Sequence, residues 1–205
     1  MSRLVSVTLG VLLLLVGCSS EGAPDKWRIA QLAPITTATG SIPAEANQYG
    51  VLISSYGGYI DGTIKISEPF LPLELDETGK FTVQLPESVP EGTSLECPYY
   101  PGIALLGGLL ILDNPATGAV IPSTSIRGKY RLETTDGIVL YWYSPVTQRL
   151  TCENTERGNV TGGAHEDWDM ILAAGWNQVL AVETPAGWVF RTRLTTTGSW
   201  VPWAP

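Results

Sequence analysis

Apolar and polar positions in this chain fall into short alternating segments broken by glycine and proline. The clearest is Lys80–Leu85 (KFTVQL), which places Phe81, Val83 and Leu85 on one face after the turn Asp76-Glu77-Thr78-Gly79. A period of two is what a strand with one buried face requires. Tyr49–Tyr56 (YGVLISSY) and Gly62–Ser67 (GTIKIS) read as strands separated by a Gly57-Gly58 turn. Pro69 and Pro72 mark an edge or a connection, because proline cannot donate to a ladder. Gly102–Leu112 (GIALLGGLLIL) is the most apolar internal run, yet it is far short of the roughly 20 residues a membrane span needs. Gly107-Gly108 at its centre favours a buried, bulged strand over a helix. Tyr130–Glu133 and Ile138–Tyr143 form a hairpin around Asp136-Gly137, with a short strand at Thr147–Cys152 after it. Asp169–Ala174 fits one helical turn or a strand, and Trp176–Glu183 and Trp188–Leu194 alternate around the turn Thr184-Pro185-Ala186-Gly187. The predicted fold class is all-β, with one or two antiparallel β-sandwich-like domains. Residues 27–95 form a small β-sandwich-like module and 96–205 a second β domain.

The first residues break this pattern. Arg3 precedes an apolar stretch, Leu4–Val16, whose only polar members are Ser6 and Thr8. A positive residue followed by about 7–15 apolar ones is the layout of a secretory signal peptide, and it is too short for a span. The stretch ends in Leu15-Val16-Gly17-Cys18, which resembles the lipobox of bacterial lipoproteins. The resemblance implies removal of residues 1–17, a thioether-linked diacylglycerol on Cys18 and acylation of its new amine. Ser19, rather than an aspartate, implies sorting to the outer membrane where the cell has two. Several chains matter, since one acyl chain binds only marginally. Residues 18–26 then form a flexible tether. Its segment Ser19–Asp25 (SSEGAPD) has no apolar side chain to bury, and extended it reaches on the order of 23 Å.

Apolar residues make up 44% of the 205, so the chain has material for a real core. The formal net charge is −8. Such a surface repels phosphate backbones and anionic head groups, so no nucleic acid is expected and the lipid on Cys18 holds the protein to the membrane. Of three cysteines, Cys18 is taken by the lipid, leaving Cys97 and Cys152 in a compartment that permits disulfides. Their alternative is two separate buried thiols. Neither has a second cysteine or a histidine at ligand spacing, which argues against a metal pair.

Two stretches carry further resemblances. The turn-glycine-aromatic-strand signal DETGKFTVQLP, within 35–95, is similar to small β-sandwich modules of the transthyretin or carboxypeptidase-regulatory kind, which implies a spacer or adhesion unit. The span 128–195 resembles a domain of uncharacterised bacterial envelope lipoproteins, through Tyr141-Trp142-Tyr143-Ser144 and Leu172-x-x-Gly175-Trp176-Asn177.

No catalytic constellation stands out. His165, the single histidine, lies in Ala-His-Glu-Asp-Trp-Asp after Thr161-Gly162-Gly163, which reads as an exposed loop rather than a site. Glu166, Asp167 and Asp169 lack EF-hand spacing, and no nucleophile elbow or phosphate-cradling loop is present. No cofactor is expected. Seven tryptophans and eight tyrosines accompany three phenylalanines. Tyr and Trp favour strands and half-buried positions, so core packing outweighs a ligand platform. Trp168, Trp200 and Trp203 are the candidate platform; in the tail SWVPWAP, Pro202 and Pro205 leave Trp200 and Trp203 either docked or exposed. The expected function is a lipid-anchored, non-enzymatic envelope protein with a structural or interaction role. The alternative is a lipoprotein binding a glycan or small ligand through exposed tryptophans. Partners are then the membrane, and an envelope protein or cell-wall glycan.

Overall fold

The alternating segments pair almost entirely with one another. The computed structural model describes residues 34–43, 48–54, 56–60, 62–91, 94–96, 99–156, 165–193 and 198–203. In chain order the strands begin with β1 (Thr37–Ser41), β2 (Tyr49–Ile53), β3 (Tyr56–Ile60), β4 (Thr63–Ile66), β5 (Phe70–Glu74) and β6 (Lys80–Gln84). Next come β7 (Ser94–Glu96), β8 (Tyr99–Pro101), β9 (Ala104–Leu106), β10 (Gly108–Leu112) and β11 (Val120–Pro122). The longer strands follow: β12 (Ile126–Thr134), β13 (Gly137–Ser144), β14 (Gln148–Glu156), β15 (His165–Leu172), β16 (Gly175–Thr184), β17 (Gly187–Arg193) and the tail β18 (Ser199–Pro202). A 3-10 turn at Ser123–Ser125 is the one helical element among the described residues. The fold is all-β.

One large sheet dominates, in the order β14-β15-β17-β16-β13-β12-β10-β2-β5. The tail strand β18 pairs with β12, and β9 pairs with β13. Every pairing is antiparallel except β15 with β17, which run parallel through Trp168↔Phe190, so the sheet is mixed rather than purely antiparallel. Pro72 lies in β5 at the sheet margin, where a missing N–H leaves no ladder bond unmade. Ladders cross residue 95, the boundary expected between the two modules. Strand β2 pairs with β10 from Tyr49↔Leu112 to Ile53↔Gly108, and β11 joins β4 in a three-stranded sheet with β3. Long-range ladders therefore take strands from both sides of that boundary.

Alternation explains how one sheet feeds three cores. In β13, Val139, Tyr141 and Tyr143 enter one cluster while Leu140 and Trp142 enter another on the opposite face. In β10, Leu109 and Ile111 join the first cluster, and Leu110 and Leu112 a third with Val51, Ile53, Ile64 and Ile66. Near-continuous apolar runs are what a strand buried on both faces needs. The second cluster exists because the sheet rolls up. Two strands separate β13 from β15 in the ladder, about 14 Å at ordinary spacing, yet β13 and β15 approach each other and Trp142 meets Trp168 edge-on at 5.5 Å. Phe190 completes an aromatic trio with them.

The first cluster is closed by a two-stranded ribbon, β1–β6, running from Thr37↔Gln84 to Ser41↔Lys80. Its inward residues Ala38, Phe81 and Leu85 are buried. Aromatic side chains of the large sheet tie it down by their polar tips. Trp176 Nε1 donates to the Pro86 carbonyl at 2.8 Å, the Tyr143 hydroxyl to the Glu87 carbonyl at 3.2 Å, and Trp200 Nε1 to the Thr39 carbonyl at 3.3 Å. Gly40 makes room for this, since a Cβ there would stand 2.2 Å from Trp200 Nε1.

Two local readings differ from the structure, and a third, left between two alternatives, is decided by it. Gly57 and Gly58 lie inside β3, and the reversal into β4 is made at Gly62, whose φ of 76° suits a residue without Cβ. YGVLISSY is two strands: the chain bends at Ser54, whose hydroxyl donates to the Ser67 carbonyl at 2.9 Å, and enters a different sheet. The ambiguous segment Asp169–Ala174 belongs to β15 through Leu172, with Trp168, Met170 and Leu172 buried in alternation.

The polar tips separate tryptophans that are otherwise alike. Trp142 Nε1 is buried with no partner among the described residues, whereas Trp176 Nε1 holds the ribbon. Both substitutions to Phe shrink a core side chain, but only Trp176→Phe also breaks a bond and strands a carbonyl. Urea unfolding should therefore show Trp176→Phe costing about 1 kcal/mol more than Trp142→Phe, the usual worth of a hydrogen bond. Equal losses would mean that the indole bond does not hold the ribbon.

Candidate functional site

The described surface carries one groove built by a break in a ladder. In β10–β12 the register shifts, so that Ile111 faces Gly128 while Leu112 faces Ile126. Arg127 is the extra residue of that bulge, and a bulge turns its side chain away from the regular pleat. Its guanidinium forks onto Asp113 just past β10, with Nε donating to Oδ1 at 2.6 Å. The Asp113 amide closes the same corner by donating to the Ser125 carbonyl at 2.9 Å. Gly128 has no side chain, and the ring of Tyr130 occupies the vacated space: a Cβ at 128 would stand 2.9 Å from Tyr130 Cε2. Pro43, Gln48 and Ile111 line the same groove, of about 700 Å³. Within hydrogen-bonding reach of its space stand a carboxylate, a guanidinium, a carboxamide and a phenol. The Arg127 and Asp113 charges compensate each other, and the Tyr130 hydroxyl donates to the Pro43 carbonyl at 3.5 Å.

The tryptophans expected to form a platform do not share a surface. Trp168 is buried in the rolled core against Trp142 and Phe190, and Trp200 is buried beneath the ribbon at 5.5 Å from Phe81. Trp203 alone is partly exposed. The reason is the period of β15 and β18: the same alternation that buries Met170 and Leu172 buries Trp168, and β18 pairing with β12 from Glu133↔Ser199 to Tyr130↔Pro202 seats Trp200 inward. Of the two readings of the tail, docking is the one observed.

Cys18 and Cys97 lie outside the described residues. Cys152 sits in β14 opposite Trp168, and its side chain is outside the described set. His165 opens β15, paired with Glu156, rather than lying in a loop, because the ladder with β14 overrides the local Gly-rich composition. Asp169, one of the three acidic residues weighed for calcium, is committed elsewhere. Arg149 grips it in a fork, Nε to Oδ1 at 2.6 Å and Nη2 to Oδ2 at 2.7 Å. Among the described residues no three His, Cys, Asp or Glu side chains converge on one point, and no helix is long and apolar enough to cross a membrane.

Nothing in the sequence marked the groove residues. Arg127-Gly128-Lys129-Tyr130 reads as ordinary strand, and the partner Asp113 lies 14 positions away. No family model, curated protein or solved structure matches the chain. The likenesses to transthyretin-type modules and to envelope lipoprotein domains therefore rest on the quoted sequence segments alone.

The Arg149 hydrogen bond, helped by the opposite charge, holds the Asp169 carboxyl below its ordinary range. A carboxyl depressed in the folded state adds stability above its unfolded pKa and loses it as pH falls through the folded value. Arg149→Met should therefore move Asp169 up toward the ordinary carboxylate range in a carboxyl-carbon NMR titration. An unchanged midpoint would show that the fork is not formed in solution.

Proposed function

We propose that this chain is a lipid-anchored protein of the bacterial cell envelope, whose exported β fold has a non-enzymatic structural or interaction role. The observation that carries the reading is Leu15-Val16-Gly17-Cys18 at the end of a short apolar run, followed by the small polar tether. A multiply acylated cysteine supplies membrane affinity that an acidic protein cannot gain from head groups. The folded part supports the reading through its construction: long ladders and three cores favour a rigid body, which suits a spacer or a partner platform. Binding of a glycan or small ligand is the alternative within this reading. The groove lined by Gln48, Asp113, Arg127 and Tyr130 favours it, in place of the tryptophans.

Metabolic labelling with an alkyne fatty acid tests the anchor. The native chain should take up label and fractionate with membranes, whereas Cys18→Ala should remain unlabelled and keep residues 1–17. Label retained in the variant would remove Cys18 as the attachment point.

We further propose one disulfide, Cys97–Cys152, in the exported protein. The remaining even pair in an oxidising compartment supports it, and closing a loop of about 55 residues is worth roughly 4 kcal/mol on the chain-entropy scale. Peptide mapping without reductant should recover the two cysteines in one cross-linked peptide. Recovery of both as freely alkylated thiols would reject the bond.

A further inference from the structure

We propose that the end of the fold formed by the β13–β14 and β15–β16 turns rests on the lipid head groups, with Val146 as its apolar contact. The proposal rests on the lipid anchor at Cys18 and adds an orientation to it. Strands β13 and β16 run antiparallel with Ser144 opposite Gly175, so both turns lie at one end of the large sheet. The chain that follows Cys18 enters the described fold at this same end. Pro34 lies against Gly175, where an added Cβ would stand 2.9 Å from the proline ring, and the Ile35 amide donates to the Trp176 carbonyl at 2.8 Å. Fifteen residues, 19–33, separate Cys18 from Pro34, and fully extended they span at most about 50 Å. The hairpin tips at Asp136-Gly137 and Pro185-Ala186 lie at the opposite end, a strand length of roughly 30 Å away. Turning those tips to the membrane would stretch the connection over most of its reach, at a cost in chain entropy. Turning the near end costs it little.

The near end is also the one built for such a contact. Val146 is 55% exposed, one of two large apolar side chains so open among the described residues, and Pro145 beside it is exposed too. Hydrogen bonds fix the turn that presents them. The Ser144 hydroxyl donates to the Val146 carbonyl at 2.6 Å, and Gln148 Nε2 donates to the Ser144 oxygen at 2.9 Å. The Ala174 amide donates to Thr147 Oγ1 at 3.1 Å, which joins the two turns. Asn177 holds the second turn, accepting from the Ala173 amide and donating to the Ala173 and Gly175 carbonyls, each at 2.9 Å. Backbone groups already paired in this way can leave bulk water without the cost of unmade bonds. Neither turn carries a charged side chain, whereas the opposite end carries Asp136 and Glu183. An acidic protein approaches anionic lipid most readily where its own charge is lowest. Glu87, whose carbonyl the Tyr143 hydroxyl meets, borders this end and confines the contact to the turns. One valine and a proline would not hold a free protein on a bilayer. The anchor makes their contact intramolecular, so a weak interaction is enough to set the orientation.

The lipidated protein is reconstituted into vesicles of phosphatidylethanolamine and phosphatidylglycerol. An environment-sensitive nitrobenzoxadiazole label is placed on Pro145→Cys, which leaves Val146 intact, or on Ala186→Cys at the far tip. Label taken up by the native chain through its own cysteines is measured and subtracted. Both positions are exposed, so circular dichroism should show the variants folded. The label at 145 should emit at shorter wavelength than the label at 186, and head-group nitroxide lipid should quench it at least about twofold more. Adding Val146→Glu to the first variant should return its label to water-like emission. Equal quenching at the two positions would overturn the orientation, as would a wavelength shift that survives Val146→Glu. Protein that does not float with the vesicles would instead sink the anchor, and the orientation with it, so the two failures are told apart.

Discussion

The ribbon β1–β6 stays on the large sheet because aromatic side chains place their rings in the core and their polar tips on the backbone of the ribbon and of the segment just after β6. Trp176 reaches the Pro86 carbonyl, Tyr143 the Glu87 carbonyl and Trp200 the Thr39 carbonyl. A two-stranded ribbon is marginal by itself in water. Here its apolar face covers Leu109, Ile111, Val139 and Tyr141, which would otherwise face solvent. The bonds add direction to that burial. Ile35 extends the attachment by donating its amide to the Trp176 carbonyl at 2.8 Å. Since Trp200 comes from the tail strand and Thr39 from the first, the two ends of the described chain are joined through one core.

Glycine places the next constraint. Gly107 separates β9 from β10, and its amide donates to the Ile53 carbonyl at 2.9 Å. The run on either side serves two neighbours, Ala104–Leu106 along β13 and Gly108–Leu112 along β12. A side chain at 107 would press on Leu140, 2.9 Å away. Handing one apolar run from strand to strand is compatible with the rolled shape of the sheet. That shape in turn makes an interior for Trp142, Trp168 and Phe190, whose packing relies on ring geometry rather than hydrogen bonds.

The groove follows from the same ladder at its other end. One extra residue, Arg127, with Gly128 beside it, breaks the pleat where β10 runs out at Leu112. Tyr130 fills what Gly128 leaves open, and the Asp113 carboxylate neutralises the projecting guanidinium. A recess lined by polar side chains is thus formed by backbone irregularity and not by a motif.

Local pattern alone determined much of this protein. The hairpins around Asp136-Gly137 and before Gly187, the strand from Lys80, the edge role of Pro72 and the all-β class were legible, since each depends on residues within about ten positions. The lipobox resemblance behind the proposed anchor is local in the same way, being four contiguous residues after an apolar run. Which face a strand buries, and against what, is not local. Trp168, Trp200 and Trp203 look alike as polar-tipped aromatics, yet pairing of β15 with β14 and β17 buries the first, and pairing of β18 with β12 buries the second. Residues before and after position 95 look like separate modules, yet β2 and β10 share a ladder. His165 looks like loop, yet lies opposite Glu156 in a strand. The groove was least visible of all, because a bulge arises only when two strands of unequal spacing are held in register. Composition and alternation choose strands, whereas partner, register and curl come from the long-range ladders that only the folded chain assembles.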